Sequence, residues 1–140
     1  MSAILLTILN RIVLIIRKLI LELNKEGFDK KKLDLTIKNL KSANSAINFY
    51  VEKNIQDNAK FIKQKNIYIL NKFFFNQSEE VIFRSISSIL KLVSGRYYAP
   101  RGKSILDAIY NIKSNKFKKL TLGGCYIEKV NETVLISNEN

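Results

Sequence analysis

The 140-residue sequence has no histidine, no tryptophan, one cysteine, one proline and one methionine. Without histidine there is no Ser-His-Asp or Cys-His pair, no imidazole acid-base group and no imidazole metal ligand. A lone Cys125 excludes an internal disulfide and a cysteine-rich zinc site. Nothing beside it in sequence would activate a thiol, so it reads as a small half-buried strand residue. Acids are scarce too. Twelve Asp and Glu stand against twenty-four Lys and Arg, a formal net charge of +12. The acids form no metal-like cluster, and Glu79-Glu80 opens a helix, where negative charge is favoured anyway. The single double glycine, Gly123-Gly124, fits neither GxxxxGK[ST] nor GxGxxG, so a bend or bulge is expected. These absences leave no catalytic, cofactor-binding or metal-ligating residue to nominate, and the chain does not read as a self-sufficient enzyme.

What is present is a basic chain with enough apolar material, 46%, to bury a core. The positive charge falls in two blocks. Residues 24–65 carry ten Lys against five acids, and residues 96–140 carry eight basic residues against four, around a nearly neutral middle. Polyanions are the natural partners of such a surplus, although a generically basic, soluble surface is the plainer reading.

Residues 3–23, AILLTILNRIVLIIRKLILEL, are the most hydrophobic stretch. Asn10, Arg11, Arg17 and Lys18 interrupt it, which argues against a spanning helix. The order of charged and apolar parts is wrong for a signal peptide. Leu6, Leu9, Val13, Ile16 and Ile20 recur every three or four residues, so a packed amphipathic helix is expected. A helix lying on a membrane surface is the other reading.

The fold expected is α+β and mainly α, a helical body with a small C-terminal antiparallel β element. It divides into a helical segment, 1–66, and a segment of helices plus strands, 67–140, packed as one unit. The first helix stops near Leu23, with Asn24 and Gly27 as signals, and Asp29 N-caps a long second helix. On that helix Lys31, Lys38 and Lys41 share a face, either simply solvated or facing phosphates. Residues 54–66 read as helix tail and linker. Ile67–Leu70 read as a short strand, and Phe73-Phe74-Phe75 as core anchors. Asn76-Gln77-Ser78-Glu79 fits a capping box for a helix with Ile82, Ile86, Ile89 and Val93 on its stripe, ended by Gly95. A further helix starts at Ala99-Pro100-Arg101. Leu120–Ile127 read as two strands around the glycine bend, and Thr133–Ile136 as a third.

Taken together, several segments carry a family resemblance. They are Arg17-Lys18-Leu19-Ile20, Glu26-Gly27-Phe28-Asp29, Ser42-Ala43-Asn44-Ser45-Ala46, Glu80-Val81-Ile82-Phe83-Arg84, Ser94-Gly95-Arg96-Tyr97-Tyr98-Ala99-Pro100-Arg101 and Thr121-Leu122-Gly123-Gly124-Cys125. Their order and spacing resemble the non-catalytic C-terminal half of bacterial tRNA(Ile)-lysidine synthetases, particularly the alphaproteobacterial type. The pair Y-x-P-R and T-L-G-G-C is the most specific part. Two positions depart from that pattern: Ile15-Ile16 stand where the family tends to be basic, and Asn138-Glu139 where it commonly closes with Arg-Glu.

The resemblance implies a role in tRNA modification, the joining of lysine to the wobble cytidine of an isoleucine tRNA. It implies that ATP and lysine bind an N-terminal domain with an S-G-G-x-D-S loop, which this sequence lacks, and that these segments bind tRNA in the cytoplasm. Either a truncated remnant or one half of a split enzyme, whose partner would be a separately encoded catalytic half, is then expected. The residues nominated for nucleic acid are Arg96 and Arg101, then Lys118 and Lys119, then Lys31, Lys38 and Lys41. Arg suits bidentate phosphate contacts. For Arg101, a salt bridge to Asp107 or a helix-start contact is the structural alternative, and for Arg84 structural pairing is favoured. A small basic nucleic-acid-binding or protein-interaction module with no part in lysidine formation is the competing reading.

Overall fold

The computed structural model describes residues 2–140. The chain divides into two compact units, Met1–Ser42 and Ala43–Asn140. The fold class is the expected one, mainly α with an antiparallel sheet.

The first unit is helical. Helix α1 runs Ala3–Lys25, with the Ser2 hydroxyl accepting from the Leu5 N–H. It ends where Gly27 takes a φ of +85° and Phe28 N–H returns to the Leu23 carbonyl, a left-handed termination that glycine supplies. Asp29 caps α2, Lys30–Asn58, by accepting from the N–H groups of Lys31 and Lys32. The first unit by itself does not cover α1. None of its residues is buried, and Leu6, Leu9, Val13, Ile16 and Ile20 are all 43% exposed or more. The periodicity correctly forms a helix, but a periodic stripe says only that a face could be covered, not that the chain covers it. No helix among the described residues is long and apolar enough to cross a membrane.

The second unit holds the core. Five antiparallel strands, β1 (Ala59–Ile62), β2 (Ile67–Leu70), β3 (Lys119–Leu122), β4 (Cys125–Val130) and β5 (Thr133–Asn138), pair in the order β1-β2-β5-β4-β3. One face carries Leu70, Cys125, Ile127, Val134 and Ile136. It packs on the buried stripes of α3 (Glu79–Ser94) and α4 (Gly102–Lys113). Strand alternation with a period of two explains the choice of face, and residues every three or four positions explain the helix stripes.

Side chains of the sheet region finish both helices. Asn66 and Asn138 each donate to the Val93 carbonyl, and the Lys129 ammonium donates to the Ile112 carbonyl. These carbonyls lie in the last turns, where intrahelical donors run out. Lys129 also sets a positive charge against the negative end of α4.

Several local expectations change. Residues 54–58 are the helix tail expected, since α2 continues to Asn58, but the rest is not a linker: β1 follows as an edge strand paired with β2. Its alternation is masked by Lys60 and by Phe61, which is 46% exposed. The capping box does not form. Ser78 is the N-cap of α3 and makes no side-chain cap bond, while Asn76 ends a preceding 3₁₀ turn, Lys72–Phe75. Of the three phenylalanines only Phe74 is fully buried, and Phe73 is 54% exposed. Pro100 lies before α4 and Arg101 is its N-cap.

Candidate nucleic-acid interface

The loop from Gly95 to Arg101 joins α3 to α4. Gly95, at φ +67°, closes α3 by donating to the Lys91 carbonyl. Arg96 N–H then donates to the Ser94 hydroxyl. Beneath the loop lies the β3–β4 turn, where Gly123 and Gly124 have φ of +60° and +81°. Two successive left-handed residues between paired strand ends make the tight hairpin turn that suits the strand twist.

The two glycines also make room. A Cβ on Gly123 would stand 2.5 Å from Pro100 Cγ, and one on Gly124 would stand 3.0 Å from Arg96 Nη2. The Y-x-P-R and T-L-G-G-C segments, separate in sequence, are thus one corner of the fold. Arg96 is exposed yet rests its guanidinium on backbone.

Arg101 is exposed as well, and the alternative of a salt bridge to Asp107 is not realised. Among the described residues two ion pairs form, Lys72–Glu132 at 3.4 Å and Arg84–Glu80 at 2.6 Å. None of the nominated cations takes part in either pair. Arg84 is structural, as its position on the helix suggested. It donates to Glu80 and to the side-chain oxygens of Asn44 and Asn48, tying α3 to α2.

Lys118 and Lys119 sit at the start of edge strand β3, at the far end of that strand from the glycine turn. Lys119 Nζ lies 4.3 Å from the ring centroid of Tyr126 on the neighbouring strand, a cation–π contact on the sheet face opposite the core. Lysine on an edge strand also discourages strand addition. Lys31, Lys38 and Lys41 are exposed on the part of α2 that belongs to the first unit.

Sequence reasoning nominated the arginines of the corner but not its other exposed groups. Tyr97 and Tyr98 are 82% and 79% exposed, with ring centroids 4.7 Å apart and nearly perpendicular planes. They border a groove of about 330 Å³ that Ser87, Ser88 and Lys91 also line, and with Lys91 and Arg96 an open recess of about 620 Å³. The signal was present in the sequence as two arginines and two tyrosines crowded into one seven-residue loop.

Cys125 is fully buried, and its Sγ lies 3.6 Å from the Leu90 carbonyl oxygen. Burial pushes its thiol up, against a smaller opposing pull from the Arg96 charge. Such a thiol is inert. Among the described residues no three His, Cys, Asp or Glu side chains come together as a metal site.

The class defined by these features is a basic α+β module with an exposed corner that carries two arginines. The chain is 28% identical over 112 residues to a tRNA(Ile)-lysidine synthase from Wolbachia sp. subsp. Brugia malayi (strain TRS). The match covers 79% of this chain and 26% of that protein, so the chain spans about a quarter of its relative's length. No protein-family model matches the chain, and no solved structure does.

Proposed function

We propose that this chain is the tRNA-binding, C-terminal part of a tRNA(Ile)-lysidine synthetase, acting in the cytoplasm without catalysis of its own. The sites for ATP and lysine belong to the catalytic half of such an enzyme, outside these residues. The observation that carries this reading is the corner itself. The two segments most specific to the resemblance meet there, and they hold Arg96 and Arg101 free of carboxylate partners. The similarity to a tRNA(Ile)-lysidine synthase and the charge of +12 support the same reading. Phosphate contacts of this kind fix register and orientation on an RNA while the base-reading steps lie elsewhere. Arg96 and Arg101 are the principal contacts, Lys118 and Lys119 extend them, and Lys31, Lys38 and Lys41 add a further basic face.

The test is reconstitution. The purified chain with ATP, lysine and isoleucine tRNA is expected to form no lysidine. Added to a catalytic half bearing the S-G-G-x-D-S loop, it is expected to raise lysidine formation, and Arg96→Ala/Arg101→Ala to remove that gain. Turnover by the chain alone, or no gain with the catalytic half, contradicts the proposal.

A further inference from the structure

The corner offers more than charge. A phosphate-only surface needs no exposed aromatic rings, and burying two tyrosines in the unit's own core would be favourable. Tyr97 and Tyr98 instead project at 82% and 79% exposure, in a loop whose sequence runs from Arg96 to Arg101. The two rings are in edge-to-face contact, with centroids 4.7 Å apart. The loop that carries them is itself fixed at three points: Gly95 closes α3, Arg96 lies on Gly124 and Pro100 lies on Gly123. Lys91 shares the recess with Arg96 and both rings.

Exposed rings beside cations are the recognition chemistry of unpaired nucleotides. A base offers a π-face only when it is out of the duplex, and its neighbouring phosphates then reach cations to either side. A duplex presents phosphates but no free base face. We infer that the Arg96–Arg101 corner binds unpaired RNA nucleotides, with Tyr97 and Tyr98 stacking on bases and Lys91, Arg96 and Arg101 holding the adjoining phosphates. The inference rests on the nucleic-acid reading above and narrows it, from an anionic backbone to single-stranded positions of an RNA.

The full chain is titrated into a labelled ten-nucleotide single-stranded RNA and into a blunt RNA duplex of the same length. Anisotropy reports binding. With no tryptophan but six tyrosines in the chain, the quenching of tyrosine emission that the Tyr97→Ala/Tyr98→Ala variant loses reports stacking. The expected result is tighter binding of the single strand, with quenched tyrosine emission. Tyr97→Ala/Tyr98→Ala is expected to lose about tenfold or more on the single strand and nothing on the duplex. Tyr97→Phe/Tyr98→Phe is expected to retain single-strand binding. Equal binding of both RNAs, undisturbed by the alanine variant, overturns this inference and leaves the phosphate reading standing. Failure of the unaltered chain to bind either RNA overturns both.

Discussion

Pro100 sits on Gly123 so closely that the turn has no space for a side chain: a Cβ would come within 2.5 Å of the proline ring. Gly123→Ala therefore meets two penalties. The left-handed backbone costs about 1–2 kcal/mol for an L-residue, and the clash must be relieved by moving the α3–α4 loop. Gly95→Ala is the control, because its φ is also positive but nothing lies within 4 Å. Urea denaturation is expected to show Gly123→Ala as the more destabilised. Equal losses would mean that the loop does not rest on the turn.

A second prediction concerns Asn54, which is 3% exposed near the end of α2. Its amide donates to the Phe74 carbonyl and the Ser85 hydroxyl, and its oxygen accepts from Asn58. Asn54→Ala is expected to cost about 1–3 kcal/mol, since it leaves buried polar groups without a partner. Ser85→Ala removes only one bond of the set and is expected to cost less.

Cys125 gives a pH prediction. Burial raises its pKa in the folded state, and the thiol relaxes to its ordinary value on unfolding. The stability it contributes is complete below about pH 8.5, the ordinary thiol value. It is lost as pH rises beyond that toward the folded pKa. Iodoacetamide is expected to label the native chain far more slowly than the urea-unfolded chain at pH 8.5. Equal rates would contradict the burial.

Helix α1 gives a fourth. Fourteen of its side chains are large, apolar and more than 40% exposed, and none of its residues is buried. Exposed apolar area on this scale binds hydrophobic dyes. The full chain is expected to enhance 1-anilinonaphthalene-8-sulfonate fluorescence at native pH. A chain lacking residues 2–25 is expected to lose that enhancement while keeping its thermal midpoint. A fall of more than a few degrees would show that α1 contributes to folded stability.

Much of this was legible in the sequence because the responsible physics is local. The stripe Ile82, Ile86, Ile89 and Val93 defines a helix face, Gly95 ends that helix, and Asp29 caps another. The strand Ile67–Leu70 follows from its β-branched and aromatic run. Features set by distant partners were hidden. Strand β1 exists because Ala59–Ile62 find β2 across a short 3₁₀ turn, and Lys60 and Phe61 do not announce it. Whether α1 is covered depends on surfaces that its own periodicity does not encode. The arginine corner was half legible. Its charges stand in one loop, but the seating of Arg96 on Gly124 needs the β3–β4 turn to fold beneath it.

The account rests on phosphate contact, and salt tests that most directly. Filter binding of tRNA to the chain between about 50 and 300 mM salt should show counterion release, with a log–log slope between about −2 and −6 for several phosphate contacts. Arg96→Ala/Arg101→Ala should flatten that slope by about 1.5. An affinity indifferent to salt, or a slope unchanged by losing both arginines, would contradict the account.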